Sequence, residues 1–487
     1  MSGPLLVALA FLPLAIAAVL AVIGRPVYDS IKLLVVLLPF QAFGAIEAGF
    51  TIPPVYVLLV LIMLAIFFKG ESLNFRTAGS GAVVFYSAFA LFSTLMAFMQ
   101  GDLSGDFINE NMRYRAGEMR SILQYALLIF HFALFYIIVS YARDEKKAFS
   151  LLKIHLYTGF GLFCLGIIQM TAFVLDLPLK DFTWSIGLID NSSTIEYGAT
   201  RYYEAGVADF STRATFMESL NFADYLNSVL PIGLALWMSR SKLIRDKFGF
   251  VATPWFALAG LTAMYFTFSR SGWGALALAM VVIMIWVSPR AAMMRLSIGA
   301  ATLMVVTIVM KHLGFFNNAV GSLWDAVSGR FQIERILMEP RLEYFLILFD
   351  SVAKHFWLGL GAGNFALAGA AATGSDQVHS SHGILWAALA DYGLVGFLLL
   401  STFLFGILFQ LGRTIKNLPK DSLERIVGSG VFASLTALYF QSLFVGDRIQ
   451  FYLIFLLAIS AVFVKIYRPN TRLMNLNKAV KVLPKTV

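Results

Sequence analysis

The sequence predicts an all-α integral membrane protein of about 13 transmembrane helices (12–14), with a large outer-face loop that contains amphipathic helices. Three observations lead there. First, 59% of the 487 residues are hydrophobic and 13% are charged, with a mean hydropathy of +0.78. No soluble fold of this length hides so much apolar surface, which excludes a large soluble enzyme. Second, apolar runs of about 20 residues, the length a helix needs to cross the hydrocarbon, recur along the chain. Third, basic residues gather in every second connection between those runs, as membrane insertion requires.

The expected spans are 4–23, 32–46, 52–68, 81–99, 121–141, 150–176, 214–239, 249–269, 272–287, 294–311, 384–411, 426–446 and 449–466. The first lacks a basic leader and a clear small-residue cleavage site, so it reads as a retained helix and not as a signal peptide. The second is short. The eleventh is long enough to include a helix lying at the surface. Cys164 is the sole cysteine, so no intrachain disulfide is possible.

Placing the C-terminus inside makes the connections at Arg25/Lys32, Lys69/Arg76, Arg143/Lys146/Lys147, Arg240/Lys242/Arg245/Lys247, Arg290/Arg295 and Arg413/Lys416/Lys420 all cytoplasmic. The basic tail, 467–487, joins them as an anchor near anionic lipid. The N-terminus then lies outside. Three longer loops fall on the outer face, at about 100–119, 177–213 and 312–383. With no internal repeat and no separable soluble part, the chain reads as one polytopic domain, 1–487, whose chemistry belongs to those loops.

On this topology Arg113, Arg115, Arg120, Arg201, Arg213, Arg270, Arg330, Arg335, Arg341 and Arg448 lie outside, with only Lys180, Lys311 and Lys354. A guanidinium grips phosphate oxygens through two parallel hydrogen bonds, whereas lysine offers a point charge. The arginine bias therefore indicates anion recognition, against the plainer alternative of surface ion pairs with the acidic residues of the same loops. Arg270 sits in the short turn Ser269-Arg270-Ser271-Gly272 between two apolar runs, which fixes it at the outer membrane boundary. Arg341 opens the amphipathic run Arg341–Trp357, where a helix N-terminus adds its own attraction for an anion. The Gly359–Phe365 segment that follows, GLGAGNF, lacks the Lys-Ser/Thr of a phosphate loop and any βαβ setting. It reads as a tight turn with close backbone approach.

Of the six histidines, His131 and His155 read as core residues, and His312 and His355 as boundary residues. His379 and His382 lie in a polar segment leading into an amphipathic helix, where an imidazole either takes a proton from a sugar hydroxyl or is surface decoration. Their H-x-x-H spacing has no third ligand nearby, so no metal site is expected.

Four segments give a resemblance to the O-antigen ligase/polymerase family of bacterial envelope glycosyltransferases. They are Asn221, Ala223, Tyr225, Leu226 and Pro231 within 216–231; Thr267-Phe268-Ser269-Arg270-Ser271-Gly272; Arg341 with His355, Gly359, Gly361, Gly363 and Phe365; and His382 with Asp391, Gly393 and Gly396. Two positions depart from the family pattern: Gly383 stands where asparagine is usual, and Asp391 where glutamate is usual.

The resemblance implies a GT-C-like membrane glycosyltransferase of the bacterial inner membrane, working without cofactor or metal. Its donor would be a glycan on undecaprenyl pyrophosphate, and its acceptor a second glycan (polymerase) or a lipid A core or protein (ligase). Arg270 and Arg341 would hold the pyrophosphate and His382 would activate the acceptor. Arg330, Arg335, Arg201 and Asn221 are further candidates for contacting substrate, and Tyr202 and Tyr203 for stacking on sugar rings or, equally, for anchoring at the membrane interface. Membrane lipids and other polysaccharide-assembly proteins, such as a flippase or chain-length regulator, are the expected partners, and nucleic acid is not. A polysaccharide polymerase is the first reading, a ligase the second. A polytopic transporter and a scaffold subunit are the rivals from other classes.

Overall fold

The computed structural model describes residues 24–40, 46–47, 51–100, 117–174, 212, 214–216, 219–239, 241–267, 269–287, 341–365, 383–443 and 449–482. The described part is helical apart from one antiparallel pair of two-residue strands. In chain order the elements are α1 (Val27–Leu37), β1 (Ile46–Glu47), β2 (Thr51–Ile52), α2 (Pro54–Phe68), α3 (Ser80–Gln100), α4 (Gly117–Tyr141), α5 (Glu145–Val174), α6 (Ser219–Met238), α7 (Lys242–Phe248), α8 (Pro254–Phe266), α9 (Arg270–Trp286), α10 (Arg341–Lys354), α11 (Ile384–Asn417), α12 (Leu423–Gln441) and α13 (Phe451–Val482). A 3₁₀ turn, Gly249–Ala252, joins α7 to α8. The expected spans 4–23 and 294–311 lie outside the described residues.

This is a polytopic membrane protein. Ser80–Met99, Ser121–Tyr141, Glu145–Ala172, Lys242–Phe266 and Ile384–Asn417 are long and apolar enough to cross a membrane, and Pro54–Phe68, Arg270–Trp286 and Phe451–Tyr467 are shorter apolar helices. Their outward faces stay apolar: Phe67 is 77% exposed, Phe85 68% and Met99 81%. Such broad exposed apolar faces suit lipid and not water.

The second expected span differs from the sequence reading. Its helix, α1, is 11 residues long, about 16 Å, against about 30 Å of hydrocarbon. Proline cannot extend the hydrogen-bond ladder, so Pro39 ends this helix. The chain beyond it still reaches the approach to α6, where Thr215 Oγ1 donates to Pro39 O at 2.8 Å. Where the sequence suggested span continuing to 46 and restarting at 52, Ile46 pairs with Ile52 and Glu47 with Thr51.

The centre of the bundle is α6, enclosed by α12, α9, α8 and α5. Nearly every residue of α6 from Phe222 onward is buried. Because neighbouring helices, and not lipid, surround it, α6 tolerates Asn221, Asp224, Asn227 and Ser228 in its first half. Helices in lipid approach closely where side chains are small. A Cβ on Gly430 of α12 would lie 2.9 Å from Ile232 Cα, and one on Gly272 of α9 would lie 2.8 Å from Ala223 Cβ. The turn joining α8 to α9 is short, as the sequence suggested. The two helices nevertheless pack chiefly on others, α8 on α5 and α6, and α9 on α12 and α6.

The bundle has two chemically distinct ends. At one, Lys69 Nζ donates to Arg25 O, Tyr28 Oη to Lys147 O at 2.8 Å, and Lys247 pairs with Glu145 at 3.0 Å. Arg425 lies over the Trp286 ring there, 5.8 Å from its centroid. The basic connections singled out in the sequence at Arg25, Lys69, Lys147 and Lys247 are thus gathered together. The opposite end carries the first turns of α6, α9, α11 and α13 and the last turn of α12.

Valine at Gly430 must displace backbone, so Gly430→Val is expected to cost about 1–3 kcal/mol. Alanine at Gly406, which has nothing within 4 Å of its Cβ position, is expected to be neutral. Thermal unfolding of the two detergent-purified variants by tryptophan fluorescence checks the contrast.

Candidate active site

The turn before α9 is a small built structure. Ser269 adopts an extended backbone and caps the helix, its Oγ accepting from Gly272 N at 3.1 Å. Thr267 Oγ1 donates to Met264 O at 2.7 Å and accepts from Ser269 N at 3.3 Å. The T-x-S-R-S-G pattern is therefore a helix start in which both hydroxyls satisfy backbone groups. Arg270 follows as the first helical residue, half-buried, at the end opposite the basic connections. At that position the positive end of the helix dipole reinforces the guanidinium's field.

A buried amide ties this turn to α12. Asn227 Nδ2 of α6 donates to Gly272 O at 3.0 Å and to Gln441 Oε1 at 2.7 Å. Gln441 Nε2 in turn reaches Leu220 O at 3.4 Å, on the first turn of α6. Asn227 and Gln441 are both 0% exposed, so the three helices are locked by polar bonds where water does not compete.

The segment entering α11 is pinned to the same place. Ile384 N donates to Ser442 O at 3.0 Å, and Trp386 Nε1 to Leu443 O at 3.2 Å. A Cβ on Gly383 would sit 2.9 Å from Ser442 O and 2.5 Å from Trp386 Cδ1. The glycine that replaces the family's asparagine thus lets the backbone lie against the last turn of α12. The residue after His382 lies against Ser442 and Leu443, and the turn bearing Arg270 is linked through Asn227 to the adjoining Gln441.

The third component is a loop docked on a kink. Gly393, with φ +62°, divides α11 into Ile384–Tyr392 and a longer second segment. Gly359, Gly361 and Gly363 have φ of +72°, +82° and +72°, and a Cβ on Gly359 would fall 2.4 Å from the Gly393 nitrogen. The GLGAGNF segment is therefore the close backbone approach that its composition indicated. Asp391 secures it: Oδ2 accepts from Gly363 N at 2.9 Å and Oδ1 from Phe365 N at 3.1 Å, while its carbonyl accepts from Gly361 N at 2.7 Å. Asn364 carries the contact to α4 by accepting from Ser121 Oγ at 2.9 Å, and Ser93 Oγ of α3 donates to Leu358 O at 2.6 Å.

This dock sets α10. It packs along the first segment of α11, with Phe345 edge-on to Trp386 at 5.8 Å and Leu348, Phe365 and Ala390 forming a small core. Phe345 lies one turn after Arg341, and Trp386 one turn into α11. The start of α10 therefore lies beside the start of α11, and Arg341 falls at the same end of the bundle as Arg270. The face of α10 away from this core remains apolar and exposed at Leu346 (66%) and Phe349 (55%), consistent with an amphipathic helix at a membrane surface.

His382, Arg330, Arg335, Arg201, Tyr202 and Tyr203 lie outside the described residues, as does most of the 177–213 and 312–383 loops. Asn221 stands on the first turn of α6, partly exposed. His131 and His155 are core residues, as read: His131 stacks on Phe451 at 4.1 Å and His155 Nε2 meets Ser228 Oγ at 3.1 Å. Among the described residues no group of three His, Cys, Asp or Glu side chains is placed to share a metal ion. The sequence reading passed over three residues that organise this end: Asn227, Gln441 and Asp224. Their signal was available, as strongly polar side chains inside otherwise apolar spans.

The described helices bring the Arg270 turn, the start of α10 and the backbone entering α11 to one end of the bundle. Residues 255–401 match the family model Wzy_C, described as O-Antigen ligase. The resemblance read from the sequence is shown over this stretch, which runs from α8 past the Gly393 kink and includes Arg270, Arg341, the glycine-rich loop, His382 and Asp391. The quoted segment 216–231 lies outside it. No curated protein matches the chain.

Removing the Asp391 carboxylate leaves two backbone N–H groups without their acceptor, each such bond to a charged group being worth about 1.5–3 kcal/mol. Asp391→Ala is expected to raise deuterium exchange at 359–365 while leaving α6 and α12 protected. Hydrogen-exchange mass spectrometry of the purified variant reads both.

Proposed function

We propose that this protein is a glycosyltransferase that joins oligosaccharide repeat units carried on undecaprenyl pyrophosphate into a cell-surface polysaccharide, releasing the lipid pyrophosphate. The observation that carries the reading is that the last turn of α12 holds the backbone that follows His382 directly and the Arg270 turn through Asn227, with the start of α10 alongside. In the reaction, the acceptor hydroxyl oxygen attacks the anomeric carbon as the bond from that carbon to the pyrophosphate oxygen breaks. The hydroxyl proton passes to the His382 imidazole, and the electron pair leaves with the pyrophosphate. Arg270 and Arg341 neutralise the charge that develops there, where pre-placed donors need no reorganisation. Arg330, Arg335, Arg201 and Asn221 contact glycan or phosphate, and Tyr202 and Tyr203 stack on sugar rings.

On this reading the basic end faces the cytoplasm of a bacterial cell, as the excess of lysine and arginine in its connections dictates. The N-terminus is then outside, and the catalytic end meets the donor after its transfer to the outer face. Transfer to a lipid A core or protein is the second reading, favoured by the description of the matching family. The two share every step above and differ in the acceptor alone.

The test is incubation of the purified protein with a defined undecaprenyl-pyrophosphate oligosaccharide and sizing of the products. Ladders of lengthened lipid-linked glycan support the polymerase, and transfer only upon addition of lipid A core supports the ligase. Because a forked contact to phosphate is not reproduced by an ammonium group, Arg270→Lys is expected to lose about 10²–10³ in kcat, close to Arg270→Ala. A lysine variant with wild-type kcat removes the arginine from this role.

A further inference from the structure

Asp224 has no place in the reaction described above, yet it stands at the same end of the bundle. It occupies the second turn of α6, and Tyr452 Oη of α13 donates to its Oδ2 at 2.6 Å. Its neighbours Phe222, Ala223, Tyr225, Leu226 and Asn227 are each 0% exposed, whereas Asp224 keeps part of its surface accessible. A carboxylate within an apolar span is costly and persists where it has work to do. Satisfying Tyr452 is insufficient reason, since a hydroxyl needs a single acceptor and a neutral side chain supplies one without the desolvation of a charge.

Helical geometry separates this group from the phosphate. Successive residues turn by about 100° around a helix axis. Ala223 meets α9 at Gly272, two residues beyond Arg270, while Asp224 turns toward α13 and Tyr452. The two faces are adjacent, one toward the Arg270 turn and the other bearing an acid. A carboxylate repels pyrophosphate, so the ligand chemistry that suits it is neutral and donates hydrogen bonds. Sugar hydroxyls have that chemistry, and an O–H bond to a carboxylate oxygen is among the stronger hydrogen bonds.

We propose that Asp224, held by Tyr452, is a glycan-binding residue that accepts a hydrogen bond from an acceptor sugar hydroxyl beside the Arg270 turn. This rests on the glycosyl-transfer reading and adds to it the feature that distinguishes a glycan acceptor from any other alcohol. One carboxylate oxygen takes the Tyr452 proton and fixes the rotamer. The other is left for the sugar. Tyr452 is a positioning residue.

The experiment compares the wild-type chain with Asp224→Asn, which keeps the shape and an oxygen for Tyr452 but removes the charge, and with Tyr452→Phe. Initial rates are measured with the lipid-pyrophosphate repeat unit as donor and the same unit, freed of its lipid, as soluble acceptor. Binding of that soluble oligosaccharide is followed separately by saturation-transfer NMR. Asp224→Asn is expected to raise the acceptor KM about tenfold or more, with the donor KM unchanged and the NMR signal weakened. Tyr452→Phe is expected to move the acceptor KM in the same direction by less. An unchanged acceptor KM and undiminished NMR signal in Asp224→Asn overturn the subsite while leaving the reaction intact. Loss of the folded state, seen as a lowered thermal midpoint with all parameters falling together, overturns it in favour of a purely structural carboxylate. If the wild-type chain binds the soluble oligosaccharide through Asp224 yet transfers nothing, the subsite stands and the glycosyl-transfer reading fails.

Discussion

The arrangement depends on one buried amide. Asn227 joins Gly272 O to Gln441 Oε1, and so fixes α9 against α12 across α6. In lipid, helices gain nothing from excluding water along their lengths, so their register is set by packing of small residues and by the few polar bonds they make with one another. Here both devices act together: Gly272 admits Ala223, Gly430 admits Ile232, and Asn227 closes the polar link between those contacts. A shift of α9 along α6 breaks both at once. The guanidinium two residues before Gly272 is therefore placed by the interior of the bundle and not by the loop that bears it.

The second placement is made from the periphery. The glycine-rich loop gives its backbone N–H groups to the Asp391 carboxylate, and its missing side chains allow contact with the α11 kink. Three left-handed glycines and a carboxylate are an expensive way to end a helix, and they are intelligible as the means of setting the direction of α10. That helix lies beside the first segment of α11 with an apolar face free for the membrane, so its N-terminal residue, Arg341, falls level with the start of α11. Two cations far apart in sequence are brought to one end by two independent devices, one a buried amide and the other a docked loop.

Much of this was legible from the sequence, and the limits have physical causes. Spans surrounded by lipid are uniformly apolar and stand out. α6 was found despite Asn221, Asp224 and Asn227, because hydropathy over a whole span outweighs three polar residues. Their roles were hidden, because an asparagine that bonds across to another helix has the same local sequence as one that does not. α1 was misplaced by about five residues at its start, since the Asp29–Lys32 pair made its first turn read as a polar connection. The glycine-rich turn was recognised by its composition, but its partner lies 28 residues later and nothing local announces it. Asp391 was noted as a departure from a family pattern. Its work as the acceptor for two loop N–H groups required the fold.

The two ends of the bundle give the site its setting. Lysine and arginine at the basic end lie in short connections and meet acids, carbonyls and aromatic rings, as at Lys247–Glu145 and Arg425–Trp286. At the opposite end the helices α6, α9 and α11 begin together, so the positive ends of three helix dipoles lie there. Their dipoles add to the charge of Arg270, and the enclosing apolar helices reduce the screening that water supplies elsewhere. Asp224 lies in the same region but turns across α6 toward Tyr452. On the reading proposed above, phosphate chemistry falls on the side of α9 and hydroxyl chemistry on the side of α13. A glycan still attached to its pyrophosphate presents those two kinds of group at adjacent positions.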